Sequence, residues 1–466
     1  MHQASTKDRQ PKPKPTPLPW KGLLLFRTLY FLDGLGGSAW GRFGVIFYNQ
    51  VKHLSSEKIG LLQGIRPIIG FIARPLWGWL ADRIQSRKTV FLICKFGTTA
   101  CLLTLALPSQ SFSAVAASVA GMAVFPTGSV LDAHTIDFLG QDHSGMYGSI
   151  RLFAAISWGL GSVVMGLLTD RYGFVWNFAV FGTMMFTTIL FTSVFLPARS
   201  KSEQALRDTA ERPKWITLQR ALCHWQVLLW LLEVTIMGAA MAIVNSFLFV
   251  FLQNDLDAST ALCGYTVGVT VLLEIPVFRH SKILLARLGH DGLFVIAMLA
   301  YATRVIGYTL LTPDTVHWIL VLEMLHGITF ACAWTAAVDF SAQVAPKEWS
   351  TLVQSLMAAF WSCVGGGLGP ILGGIVYQRY GAALMFRYAG GIVLVAAALH
   401  AGLWGTGCFG HGEFLRRSAY QNVATDDDDD DDDICEGQHV CYGSIVKDHD
   451  DLPAFPAEEE ETLPKV

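Results

Sequence analysis

Apolar stretches separated by short polar breaks divide most of the chain, and each is about as long as a bilayer is thick. Hydrocarbon about 30 Å deep takes about 20 residues of helix, because backbone groups in lipid have to be satisfied inside the helix itself. Twelve stretches meet that length, at residues 22–48, 59–81, 89–107, 112–136, 147–168, 174–197, 225–252, 261–285, 292–311, 316–342, 351–377 and 383–405. The longest polar interruption, 198–224, falls between the sixth and seventh and has the mixed charge of a linker. The predicted fold class is therefore an all-α membrane protein of twelve transmembrane helices in two pseudo-symmetric six-helix bundles. Its expected divisions are a disordered basic tail 1–21, a bundle 22–197, a cytoplasmic linker 198–224, a second bundle 225–405 and a disordered acidic tail 406–466. The basic start, with Lys7, Arg9, Lys12 and Lys14 among prolines, lacks the apolar core and cleavage site of a signal peptide, so the first span is expected to be retained.

An internal repeat supports two parallel halves. Gly159-Leu160-Gly161, Gly166 and Arg171-Tyr172-Gly173 recur as Gly367-Leu368-Gly369, Gly374 and Arg379-Tyr380-Gly381, every pair 208 positions apart. A constant offset puts the two blocks at equivalent places, on the fifth and eleventh spans.

Composition agrees with a membrane class: 52% of residues are hydrophobic, 15% are charged, and mean hydropathy is +0.42. A water-soluble fold is excluded on that balance. The formal charge is −3, but without the eight-residue run Asp426–Asp433 it becomes +5, and no basic stripe suited to nucleic acid stands out. Arg83, Arg87 and Lys88, the 199–220 segment, and Arg279, Lys282 and Arg287 all fall on one side of a twelve-span count, which makes that side and both termini cytoplasmic. The nine cysteines are scattered without metal or thioredoxin spacing, and no phosphate-binding loop or hydrolase signature is present. No cofactor, metal or enzymatic activity is expected.

Charge inside the apolar stretches carries the functional signal. An ionisable side chain at mid-bilayer costs at least about 2.5–3.5 kcal/mol, so such groups face a partner or a wet cavity. The first half holds Asp33, Arg66, Arg74, Asp132, Asp137 and Arg151; the second holds Glu233, Glu274, Arg304, Glu323, His326 and Asp339. Arg151 and Trp158 are seven residues apart, about 20° short of two helical turns, and so share a face. Together they would offer a cationic donor beside an aromatic platform. Asp33 precedes Gly34, Gly36 and Gly37, and Arg66 precedes Pro67, which makes both candidates for lining a cavity.

The stretch Gly78-Trp79-Leu80-Ala81-Asp82-Arg83-Ile84-Gln85-Ser86-Arg87-Lys88 resembles the cytoplasmic loop motif of the major facilitator superfamily, with Gln85 in place of the usual glycine and the basic pair one residue late. The resemblance implies a gating role for Gly78, Asp82, Arg83 and Arg87. Leu54 to Gly60, Pro75-Leu76-Trp77-Gly78 and Tyr147 to Phe153 with Trp158-Gly159 are similar to the branch containing lactose permease, nucleoside–proton symporters and eukaryotic orphan transporters. That likeness implies substrate binding by Arg151, Trp158 and Asp132, with Asp33 and Arg66 nearby, and a direct Asp132–Arg151 pair when the site is empty. It further implies proton coupling through Glu274, Arg304 and His326. Thr329 stands where the permease has a second carboxylate, and Glu323, three residues before His326, is the substitute. The implied function is secondary active transport of a small polar solute, sugar-like or nucleoside-like, as proton-coupled symport. A uniporter or exchanger, or a transporter-derived receptor without net flux, is the alternative. Expected partners are the solute, protons and the lipid bilayer, with no nucleic acid, for a monomer in the plasma or an endosomal membrane.

Overall fold

The computed structural model describes residues 19–84, 86–108, 110–139, 146–196, 222, 224–345 and 350–405, all within one compact unit. The first half comprises α1 (Trp20–Trp40), α2 (Phe43–Ile46, running into a π-helical turn Phe47–Val51), α3 (Ser56–Ile84), α4 (Arg87–Thr104), α5 (Phe112–Val124), α6 (Gly128–Leu139), α7 (Tyr147–Tyr172) and α8 (Val175–Phe195). The second comprises α9 (Trp225–Asn254), α10 (Thr260–Arg279), α11 (Ser281–Tyr308), a 3-10 turn Pro313–Trp318, α12 (Ile319–Val344), α13 (Ser350–Ala359) continuing through a π-helical segment Phe360–Gly365 into α14 (Gly366–Tyr380), and α15 (Ala382–Gly405). Among the described residues nine helical runs are long and apolar enough to cross a membrane. The other three apolar stretches are built by α1 with α2, by α4, and by α5 with α6.

Two of the expected spans are broken rather than continuous. Residues 22–48 change course at Gly41 (φ −5°, ψ −106°), immediately before Arg42. The 112–136 span stops at Val124, because Phe125 leaves the helical region (φ −107°, ψ 82°) ahead of Pro126, whose ring disfavours helix in the residue before it. The 292–311 span begins earlier, at Ser281, with a kink at Gly289 (φ 67°). Helix α1 starts at Trp20, inside the expected tail. The linker, apart from residues 222 and 224, and the acidic tail 406–466 lie outside the described residues.

The 208-residue repeat has a structural counterpart. Gly173 and Gly381 end α7 and α14 with φ of 77° and 85°, each donating its N–H to a carbonyl four residues back, Thr169 and Tyr377, at 2.9 Å. Equivalent glycines also make equivalent crossings. A Cβ on Gly166 would lie 2.9 Å from Gly264 Cα of α10, and one on Gly374 would lie 3.2 Å from Gly60 Cα of α3. These glycines let backbone meet backbone where the halves join, which in lipid supplies close packing that larger side chains would forbid.

Helix ends alternate between two faces of the bundle. One, the gate end, carries the starts of α3, α10 and α15 and the ends of α7, α9 and α14. There Gln50 donates to Gln253 (3.0 Å), the Ser56 N–H to Gln378 Oε1 (3.1 Å) and the Thr260 N–H to Asp170 Oδ1 (2.9 Å), so the halves are tied together. Further in, Arg42 donates to Asn245 at 2.8 Å. Arg42–Asn245 and Gln50–Gln253 both link positions 203 apart, as expected where α1–α2 and α9 face one another about the axis relating the halves.

Candidate functional site between the two bundles

The break at Gly41 puts Arg42 at the junction of the halves, beside a carboxylate from the opposite bundle. Glu323 on α12 is fully buried, with Oε2 3.5 Å from Arg42 Nη1 and Oε1 3.6 Å from Arg304 Nη1 of α11. Tyr308 donates its hydroxyl to the same carboxylate. Arg304, also fully buried, lies against the rings of Tyr301 and Tyr308 (5.5 and 6.0 Å to the centroids) and hydrogen-bonds His326 Nδ1. A guanidinium can only donate, so Nδ1 accepts and the ring proton resides on Nε2. Two guanidiniums thus share one carboxylate, and one of the two comes from the other half.

A second polar group lies toward the opposite end. Tyr30 of α1 donates to Asp132 Oδ1 at 2.6 Å, and Thr135 donates to the Tyr30 hydroxyl at 3.3 Å. Arg151 Nη1 donates to the Tyr147 hydroxyl at 3.4 Å. The expected direct Asp132–Arg151 contact is replaced by these tyrosines: Asp132 acts on Arg151 through its field while its oxygen is held by Tyr30. Glu274 of α10 lies within the fields of Arg42 and Arg151. The Cβ that Gly327 lacks would sit 2.6 Å from the Glu274 backbone nitrogen, so α10 and α12 touch there backbone to backbone.

The residues singled out from sequence are thus only partly gathered. Arg304, His326 and Glu323 form one cluster, and among the described residues Glu274 makes no ion pair with it. Trp158 of α7 packs against α1, where a Cβ at Gly37 or Gly41 would come within 2.9 or 2.6 Å of its ring; it packs the α1 break rather than standing free beside Arg151. Asp33 is paired with Lys95 of α4, a lysine 2% exposed whose Nζ also lies 3.4 Å from Met185 Sδ. Its carboxylate is therefore committed within the protein. Arg66 donates to Gln63 at 3.3 Å. Of the residues expected to gate, Arg83 stacks over Trp79 (5.3 Å) and Arg87 opens α4 behind the Ser86 cap, whereas the side chain of Asp82, like that of Asp137 further on, lies outside the described set. Sequence reasoning missed Arg42, Lys95 and His400, although each is an ionisable residue inside an apolar stretch and the same criterion finds it. Tyr30, Tyr147 and Tyr308 carry no such signal, since a tyrosine in an apolar helix is unremarkable until its hydroxyl has a partner.

Two helical halves joined at one end around charged groups from both define a multi-pass integral membrane protein of the major facilitator fold. Residues 43–388 match the MFS_1 like family, and the chain belongs to it. It is 24% identical over 376 residues to a maltose permease of Geobacillus stearothermophilus, covering 78% of this chain and 90% of that one. It is 25% identical over 308 residues to sugar efflux transporter A of Dickeya chrysanthemi, covering 65% and 76%. The crystal structure of the nucleoside transporter NupG superposes with a TM-score of 0.70 at 18% identity, over 82% of this chain and 98% of that one.

Proposed function

We propose that this protein is a secondary transporter that moves a small, uncharged polar solute by alternating access, coupled to protons. The solute class is supported by the sugar and nucleoside transporters among its relatives and by charge balance. In the junction, Arg42, Arg151 and Arg304 are matched by Asp132, Glu274 and Glu323, so this set offers hydrogen bonds without net charge. Arg151, Asp132 and Tyr147 contact the solute, with Trp158 bracing the α1 break against it. The basic end is cytoplasmic on the positive-inside rule, so the closed gate end faces outward and the site opens to the cytoplasm. The membrane is the plasma membrane or an endosomal one.

The observation that carries the mechanism is the sharing of Glu323 between Arg42 and Arg304. Opening the gate end moves Arg42 away with its half and leaves Glu323 beside one guanidinium; a proton arriving from that side makes up the lost charge. Proton occupancy and gate state are then linked by differential affinity. Proteoliposomes offered a panel of sugars and nucleosides under an inward proton gradient test this. Uptake should be accompanied by proton entry and lost in Arg151→Ala, while Glu323→Gln should keep solute exchange but lose acceleration by the gradient. Binding without flux for every accepted solute would instead favour a receptor.

A further inference from the structure

Away from the junction, the second half contains a row of titratable groups that the transport reading does not use. Glu233 on α9 and His400 on α15 meet at 2.8 Å (Oε2 to Nδ1), and the other ring nitrogen of His400 faces Asp291 Oδ1 of α11 at 3.4 Å. The same Asp291 oxygen lies 3.5 Å from His290 Nε2, and His290 Nδ1 lies 3.3 Å from Asp339 Oδ2 of α12. Gln343, also on α12, donates to Asp339 at 2.6 Å and sits 3.3 Å from His290 Nδ1. The break at Gly289 starts the long part of α11 at this point and so turns His290 and Asp291 into the row. Glu233, His400 and Asp291 are at most 8% exposed, and the rings of Trp230, Phe294 and Phe340 cover them.

The charge count is decisive. Among the described residues no Lys or Arg pairs with Glu233, Asp291 or Asp339, so three carboxylates on three helices have only the two histidines opposite them. Ionised carboxylates only accept, so an imidazole nitrogen held against one has to carry a hydrogen, except at His290 Nδ1, which accepts from the Gln343 amide and leaves that ring neutral with its hydrogen on Nε2. His400 faces a carboxylate with both nitrogens and therefore needs two hydrogens, one more than the neutral ring possesses. We infer that this row is a second proton-binding site, with His400 as its central imidazolium, which holds α9, α11, α12 and α15 together toward the end opposite the gate. A cleft of about 360 Å³ lined by Leu285, Trp334, Thr335, Val338, Asp339 and Ala342 reaches the last carboxylate, which gives protons a way in from outside the bundle. The row touches neither Arg151 nor the Arg42–Glu323–Arg304 group, so it stands or falls independently of solute transport.

The full chain in lipid nanodiscs, with its histidines labelled by ¹⁵N, tests this by magnetic resonance. At about pH 8 an ordinary histidine is neutral, so an imidazolium signal persisting there reports a held proton. It should be present in the wild type and absent from His400→Gln. Trp230, with its ring centroid 5.8 Å from that of His400 and 5.9 Å from that of His290, supplies an independent reading. Its emission, taken as wild type minus Trp230→Phe, should be quenched in acid and recover as the site empties in alkali. A wild type with only neutral imidazole signals at about pH 8 overturns the inference without recourse to any variant. So does Trp230 emission that stays flat from about pH 5 to about pH 10.

Discussion

Glu323 and Arg304 are both fully buried, and neither is stable without its partners. Removing the carboxylate leaves two guanidiniums facing each other, one of them with no exposure. Breaking a buried pair from one side costs about 3–5 kcal/mol, because the surviving charge stays desolvated. Glu323→Ala is therefore expected to lower the thermal unfolding midpoint far more than Arg42→Ala, since Arg42 is 13% exposed and its removal leaves Glu323 paired with Arg304 and hydrogen-bonded by Tyr308. A melt of the three proteins in one detergent checks the order; equal midpoints would mean that the cluster contributes nothing to folding. Seen from sequence, these residues are only charges at unfavourable depth. That they share one carboxylate is invisible there, because Arg42 and Glu323 are brought together by packing between halves.

Among the helices, close approach at the gate end depends on α3 against α14 and on α7 against α10. A Cβ at Gly60 would lie 2.2 Å from the Pro370 carbonyl oxygen and 3.1 Å from Gly374 Cα, so the obstacle is backbone that cannot turn aside. Gly60→Val should prop the two helices apart and shift the population toward a gate-open state. The readout is a single cysteine introduced by Gln50→Cys at the gate end, which should react faster with a membrane-impermeant thiol reagent when Gly60→Val is also present. An unchanged rate would show that α3 and α14 do not set the closure. The repeat forecast matched glycines on α7 and α14, and both end their helices at positive φ. The breaks in α1 and after α5 were less legible. Pro126 was visible, but that Gly41 has to be a glycine follows from the ring of Trp158 packed on it from α7, a tertiary contact.

For the molecule as a whole, alternating access requires the gate-end ties to break in every cycle. Gln50 and Gln253 hydrogen-bond across the halves at 3.0 Å and are exposed enough for reagents to reach them. A Gln50→Cys/Gln253→Cys double variant should form a cross-link under mild oxidation that stops uptake, with activity returning on reduction. Uptake that continues through a fully formed cross-link would exclude a rocking motion about this end.

Hydropathy and repetition by themselves determined the class, the number of apolar stretches and the equivalence of the halves. Lipid imposes length and apolarity on each crossing locally, and duplicated sequence keeps its local geometry. Tertiary structure alone decided which buried charges meet. Asp33 went to Lys95, Arg42 crossed to Glu323, and Glu233 and Asp339 joined two histidines in a row of their own. An ion in a medium of low polarity must find a counterion or a proton, but the sequence does not state which helix will bring it.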